Sequence, residues 1–424
     1  MLNVGQSYKV RIEDTNIFAK GICHIENMVV FVDGAVTGEL CNIEITKIYP
    51  RYAYAACKEI LERSQHRQET TCPHFYSCGG CSFSHISYEL ENEIKRNYVK
   101  SAFAKQHIDA EVEKTACPVF GEYRNKVVLF YNGNSFGYMA EGTNKIVPHK
   151  SCMLNESIFD KIADFTATEL KNTPLRALYL RKSKDNTQIM VAPIFYKKTD
   201  IVRYATELIK AFPSVVSVLV GTLNDKDFVL EKVKLTTLYG DGYINDTLCG
   251  LSFRISPESF YQINHTCAEL LYQRAIELAD LKKEDTCADL FCGTGTIGII
   301  AAHKTGATVH GVEIVEKAIK DAKHNAKENS IKNIHFDAMD AGKFDKQVDV
   351  CIIDPPRKGC SPFMIDTLKR LKPTKIVYVS CNTDTMARDI KSLSDLYKIS
   401  SPVSVFNLFP RTSHVETIVC LCKQ

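Results

Sequence analysis

Beyond residue 250 the chain settles into a regular rhythm that few architectures accept. Short apolar runs at 286–291, 308–314, 348–353 and 376–380 alternate with amphipathic stretches at 297–303, 315–329, 362–371 and 383–393. In the second amphipathic stretch Val315, Ile319, Ala322 and Ala326 share one helical face, with Lys320, Lys323 and Lys327 off it. Strand-length apolar runs between helices predict a mostly parallel sheet covered on both faces, a Rossmann-like α/β domain over 251–424. Ligands of such sheets bind at the carboxyl ends of the strands. The residues at those ends therefore decide the chemistry.

The first strand runs into Asp289-Leu290-Phe291-Cys292-Gly293-Thr294-Gly295-Thr296-Ile297-Gly298. Gly293, Gly295 and Gly298 satisfy G-x-G-x-x-G, a turn that lets a cofactor approach the backbone. Glu313, 24 residues past Asp289, ends the next strand, where a carboxylate can take both hydroxyls of an adenosine ribose. A dinucleotide and S-adenosylmethionine both fit that arrangement. Asp289, just ahead of the turn, disfavours a pyrophosphate and suits a sulfonium or amino group. The glycines alone are a weak signal, since a purely structural turn has the same pattern. Downstream, Asp354-Pro355-Pro356-Arg357 closes an apolar strand that the prolines cannot continue. Ser380-Cys381-Asn382 ends another strand, and Phe409-Pro410-Arg411-Thr412-Ser413-His414-Val415-Glu416 turns into the last one. Taken singly, Asp354 is a solvated turn residue and Cys381, one of 17 cysteines, a core side chain. Their placement at successive strand ends carries the weight.

A thiol, a carboxylate and a methyl donor at one sheet edge suit methylation of carbon 5 of uracil. That carbon is a poor nucleophile. A thiolate adding to carbon 6 turns the ring into an enolate, whose carbon 5 can attack a methyl sulfonium; a base then removes the carbon-5 proton so that the thiolate can leave. Cys381, Glu416 and Asp354 are the candidate groups. Nicotinamide-dependent hydride transfer leaves Cys381 and Glu416 without a role.

The rest of the chain is more varied. Residues 1–62 carry short β-rich runs at 8–12, 28–32, 41–48 and 53–60, punctuated by Gly21, Gly34 and Gly38. They suit a five-stranded barrel of the oligonucleotide-binding kind. With 6 Lys and Arg against 8 Asp and Glu, this unit is a weak electrostatic partner for RNA, and packing alone explains it equally well. Residues 63–250 form a central unit: a helical run from 88 to about 104, then mixed, strand-like sequence without a legible topology. It contains Cys72, Cys78 and Cys81 in close spacing, and Cys152 far downstream. On spacing alone an iron–sulfur cluster, zinc and coincidence stand level.

The whole chain has 424 residues and a formal charge of +3, no run of 18 apolar residues and no charged-then-apolar leader. A membrane-spanning or secreted protein is not expected; a cytoplasmic one with reduced thiols is.

Five ordered motifs carry a resemblance: Ser256-Pro-Glu-Ser-Phe-Tyr-Gln262-Ile-Asn264, the Asp289 glycine turn, Asp354-Pro-Pro-Arg, Ser380-Cys-Asn and the 409–416 segment. In that order they resemble the RNA (uracil-5-)-methyltransferase family, and residues 1–62 resemble the TRAM domain of its ribosomal-RNA branch. The resemblance implies that Cys381 is the nucleophile and Glu416 the proton acceptor. It places Gln262, Phe291, Gly293, Thr296, Glu313, Asp340 and Asp354 around S-adenosylmethionine, and implies that Cys72, Cys78, Cys81 and Cys152 hold a [4Fe-4S] cluster. Thr296 stands where some relatives have Asn, Thr383 where relatives often have Pro, and Ser84 where they frequently carry Gln. The implied substrate is an unstacked loop uridine of 23S ribosomal RNA, with no membrane involvement and a monomeric enzyme. The T-loop uridine of transfer RNA is the nearest alternative, and a non-catalytic RNA-binding or ribosome-assembly module the alternative from another class. Cytosine-5 chemistry wants a Cys directly after the Asp-x-Pro turn, and adenine-N6 chemistry an aromatic after Asp-Pro-Pro; neither is present.

Overall fold

The computed structural model describes residues 2–223, 225 and 228–424. The N-terminal sheet has six strands, in the order Ser7–Arg11, Leu40–Ile48, Tyr52–Glu62, Met28–Asp33, Gly21–Ile25, Asp14–Thr15. Its core is built by period-2 alternation: Cys41, Ile43 and Ile45 from one strand meet Val30, Val32, Ala53 and Ala55 from two others. The strand Gly21–Ile25 lies outside the apolar runs expected from the sequence. It buries Gly21, Cys23 and Ile25 while His24 faces water, too few apolar side chains to stand out.

The central sheet has seven strands, in the order Lys234–Tyr239, Val215–Thr222, Ile189–Phe195, Leu175–Lys182, Lys126–Tyr131, Phe136–Met139, Ile146–Pro148. Helices Ser157–Glu169 and Val202–Ala211 cover one face through Phe159, Ile162, Tyr204 and Leu208. The other face shares a continuous core with the C-terminal domain, where Ala177, Tyr179, Met190 and Ala192 join Leu271, Ile299 and Ile352. Leu175–Lys182 and Ile189–Phe195 are thus buried on both sides along their whole length, the first even at Arg176, Arg181 and Lys182. Arg181, itself buried, donates to the carbonyls of Ser259 (3.1 Å) and Tyr261 (3.0 Å) and pins the segment that carries Gln262.

The C-terminal sheet runs Ile334–Ala338, Thr308–Glu313, Thr286–Leu290, Val350–Ile353, Lys375–Ser380, Glu416–Lys423, Tyr397–Ile399, with Ser404–Phe406 also beside Glu416–Lys423. The first five strands are parallel, as the alternation of runs predicts; Glu416–Lys423 is antiparallel to Lys375–Ser380. Two neighbours depart from the sequence divisions. Helix Tyr88–Lys105 belongs by packing to this domain, since Val99 and Phe103 share a core with Leu290, Met386 and Leu393. The 250/251 division falls in the turn of a hairpin, Ile244–Leu248 with Leu251–Ile255. Among the described residues, no helix is long and apolar enough to cross a membrane.

Candidate active site

The glycine turn is built as its sequence requires. Gly293 and Gly295 have φ of 55° and 81°, and a Cβ on Gly295 would lie 2.8 Å from the Phe336 ring. Asp289 is buried, and its Oδ2 accepts the Gly298 N–H at 2.8 Å, fixing the start of helix Thr296–Thr305. Its Oδ1 is buried without a partner. Desolvation pushes this carboxyl up to about 7, with Glu313 adding to the rise. Glu313 is clamped across the turn, accepting from Gly293 N–H (3.3 Å) and Val315 N–H (3.0 Å). Asp340 Oδ1 accepts the Gly342 N–H at 2.8 Å. Phe291, at φ 70°, and Asp340 line one cavity with Pro356, Met364 and Ile365. A glycine cradle, an unpartnered buried carboxylate oxygen and a fixed acid at the second strand end fit the amino, sulfonium and ribose groups of S-adenosylmethionine.

Asp289 contributes to the pH dependence of stability, in the same direction as the raised carboxyls of Asp354 and Glu416. A carboxyl held up at about 7 when folded binds a proton that the unfolded chain releases near 4. Its contribution is complete below about pH 4 and is lost as pH rises through 7. The melting temperature of the ligand-free protein is expected to fall by roughly 5 °C between pH 5 and pH 8, and Asp289→Asn to reduce that slope in part, as measured by differential scanning fluorimetry.

Gln262 and Thr296 meet at a residue that the sequence did not single out. The Tyr272 hydroxyl lies close enough to both side chains for them to lower its pKa, while burial, the main cause, and the carboxyls of Asp354 and Glu416 raise it. Tyr272 sits on helix His265–Ala279 beside Leu271, where a tyrosine reads as ordinary core.

Cys381, Glu416, Asp354 and Arg357 converge where the strands Val350–Ile353, Lys375–Ser380 and Glu416–Lys423 end together. Burial pushes the Cys381 thiol up to about 11, and the carboxyls of Glu416 and Asp354 push the same way. The nearby Arg357 guanidinium pulls it down. Glu416 is buried, and its carboxyl is held well above the ordinary range by desolvation and by Asp354, with Arg357 again opposing. Asp354 is raised to about 7 by desolvation and Asp289. Arg357 also lies 3.4 Å from both His414 ring nitrogens. Without ligands both groups are thus shifted toward their neutral forms beside a guanidinium. Alkylation of Cys381 by iodoacetamide, followed by peptide mapping, is expected to speed up about tenfold per pH unit from 7 to 10. Arg357→Met slows it at every pH in that range, because losing the cation reduces the thiolate fraction.

The loop ahead of Glu416 hangs on the helix Tyr88–Lys105. Glu91 Oε1 accepts from Lys95 Nζ (3.0 Å), Asn407 Nδ2 (2.8 Å) and the Arg411 backbone N–H (2.8 Å). Lys95 also donates to Asn407 Oδ1 (2.6 Å) and Phe409 O (3.2 Å), all of it buried except at the rim. Arg411 has φ 68° and donates to Ile86 O at 2.9 Å. Glu91→Ala leaves the Lys95 ammonium buried without its counter-ion, and a loss of about 3–5 kcal/mol is expected in urea denaturation.

The cysteines expected to hold a cluster are arranged differently. Cys81 lies within electrostatic reach of Cys78 and Cys152, with Arg124 near Cys81 and Cys152. Among the described residues, however, no three His, Cys, Asp or Glu side chains stand together as a ligand set. Burial raises the thiols of Cys81 (to about 11) and Cys152.

Residues 281–415 match the methyltransferase domain family and residues 2–57 the TRAM domain family. An uncharacterized RNA methyltransferase of Halalkalibacterium halodurans is 32% identical over 99% of this chain and 98% of its own. Another, from Streptococcus pneumoniae, is 30% identical over 100% and 99%. The fold is shared with a Pyrococcus abyssi tRNA (uracil-54, C5)-methyltransferase solved with S-adenosyl-L-homocysteine, at TM-score 0.80, 24% identity, and coverage of 98% of this chain and 100% of that one. The site and sheet thus define a methyltransferase domain joined to a TRAM domain. The chain belongs to the RNA methyltransferase family of these relatives, in agreement with the resemblance carried by its five motifs.

Proposed function

We propose that this protein methylates carbon 5 of uracil in RNA, with S-adenosylmethionine as methyl donor and an unstacked loop uridine of 23S ribosomal RNA as target, in the cytoplasm. The observation that carries the reading is the meeting of the Cys381 thiol, the buried Glu416 carboxyl and Arg357 at the sheet edge that also bears the glycine turn. Bound S-adenosylmethionine supplies an electrophilic methyl group. Gln262, Phe291, Gly293, Thr296, Glu313, Asp340 and Asp354 are the residues that would hold it. Cys381, as thiolate, adds to carbon 6 of the base. Arg357 favours the thiolate, and after methylation Glu416, as carboxylate, takes the carbon-5 proton, so that the Cys381–carbon 6 bond breaks and the ring is restored. A base in a duplex is out of reach of such a thiol, so the target is extruded or already single-stranded.

Tritium transfer from labelled S-adenosylmethionine to unmodified 23S transcripts is the test; a pure RNA-binding module transfers nothing. The T-loop uridine of transfer RNA is the second reading, and parallel reactions on transfer RNA separate the two. A [4Fe-4S] cluster on Cys72, Cys78, Cys81 and Cys152 is a further proposal, supported by the motif resemblance. Iron and sulfide analysis of anaerobically purified protein checks it, and zinc without sulfide contradicts it.

A further inference from the structure

We infer that Phe18, on the N-terminal barrel, is a base-stacking residue that holds single-stranded RNA at the mouth of the catalytic cavity. The inference rests on the function proposed above and extends it to how the RNA is held. A cavity of about 300 Å³ contains Cys381, Arg357 and His414, and its wall includes Phe18 and Ile17 from the barrel. Phe18 is 66% exposed on an ordered turn. The turn is rigid: Asn16 Oδ1 accepts the N–H groups of both Phe18 and Lys20 at 3.0 Å, and the Ala19 N–H donates to Asn16 O at 2.9 Å. The flanking Ile17 and Ala19 are buried against Phe83, Leu90 and Ile94, so the chain anchors on either side of Phe18 and leaves its ring out.

Phe18 also lines a second cavity, with Tyr54, Phe75, Tyr76 and Lys20, and Ser413 is common to both. Tyr54 belongs to an aromatic cluster on the barrel surface: its ring is 5.7 Å from Phe31 and from Tyr52, and Tyr52 stacks on Tyr49 at 4.8 Å. Aromatic faces in series suit successive unstacked bases whatever their sequence. The charge is mixed, because Asp33 pairs with Lys20 and Glu141 also lines the second cavity. Stacking, more than phosphate neutralisation, is left to hold the strand, and this commits the surface to single-stranded RNA over a duplex.

The test is fluorescence anisotropy with a labelled single-stranded uridine nonamer, alongside methyl transfer to 23S and transfer RNA. Phe18→Ala is expected to weaken nonamer binding roughly tenfold or more and to lower kcat/KM on RNA through KM, with the melting temperature and S-adenosylmethionine affinity unchanged. Phe18→Trp keeps binding and Phe18→Leu does not restore it. Equal nonamer binding by wild type and Phe18→Ala, full rescue by leucine, or no nonamer binding by wild type overturns the inference; the last outcome points to a protein partner for the ring. Loss of nonamer binding in Phe18→Ala, with no methyl transfer even by wild type, leaves the stacking role standing and removes the proposed reaction. Methyl transfer with Phe18→Ala indistinguishable from wild type does the reverse.

Discussion

Cys381→Ala is expected to lower methyl transfer to RNA by at least about 10⁴-fold, the scale on which loss of a covalent nucleophile falls, while S-adenosylmethionine still binds. The cysteine follows strand Lys375–Ser380 directly, and its neighbour Asn382 caps the next helix by accepting the Thr385 N–H at 3.4 Å. Alanine at 381 leaves that cap and the strand ladder intact, so the loss reports chemistry and not unfolding. Covalent capture makes the same point without turnover. With 5-fluorouridine RNA and S-adenosylmethionine the wild type gives a complex that survives denaturing electrophoresis, because fluorine at carbon 5 cannot be removed as a proton. Cys381→Ala gives none. Residual methylation in that variant within tenfold of wild type rules out addition of this thiol.

Glu416→Gln acts at the other end of the reaction. Glutamine keeps the size and hydrogen-bonding shape of the side chain at the start of strand Glu416–Lys423 but takes no proton. Addition and methylation proceed, elimination stalls, and the protein–RNA adduct builds up on ordinary uridine RNA. Turnover falls by about 10²–10⁴-fold, the usual range for a positioned general base. The expected observation is a slow-migrating band of protein plus RNA, stable to denaturant and carrying the tritiated methyl group. Clean loss of RNA binding without any adduct would assign Glu416 to structure. The high pKa of this buried carboxyl in the ligand-free protein means that it enters the reaction only after losing its proton. The rate of adduct release in the wild type should accordingly rise with pH where formation of the adduct is not limiting.

The regular C-terminal domain was largely legible because each element carries its own period. Pro362–Leu371 and Thr383–Leu393 fall where the amphipathic pattern puts them, each opened by a cap, Ser361 or Asn382. The Asp354, Cys381 and Glu416 positions were legible for a topological reason: a parallel sheet gathers its strand ends along one edge. Tyr272 and Arg357 were not, since their roles depend on what faces them across the fold: Thr296 and Gln262 for the hydroxyl, Cys381 and His414 for the guanidinium. The central sheet was opaque because Leu175–Lys182 and Ile189–Phe195 are buried on both faces and lose the alternation that marks a strand. Helix Tyr88–Lys105 was correctly expected as a helix, but its allegiance lay in the buried contacts of Glu91 and Lys95 with Asn407, which is more than 300 residues away in sequence.

Nucleoside analysis by mass spectrometry addresses the central claim most directly. Purified protein is incubated with S-adenosylmethionine carrying a deuterated methyl group and, separately, with unmodified 23S transcripts and unmodified transfer RNA. The RNA is then digested to nucleosides. The proposed reaction predicts deuterated 5-methyluridine from the 23S transcript, absent from the Cys381→Ala reaction. Deuterium on cytidine, adenosine or guanosine in place of uridine, or in neither RNA, would contradict it.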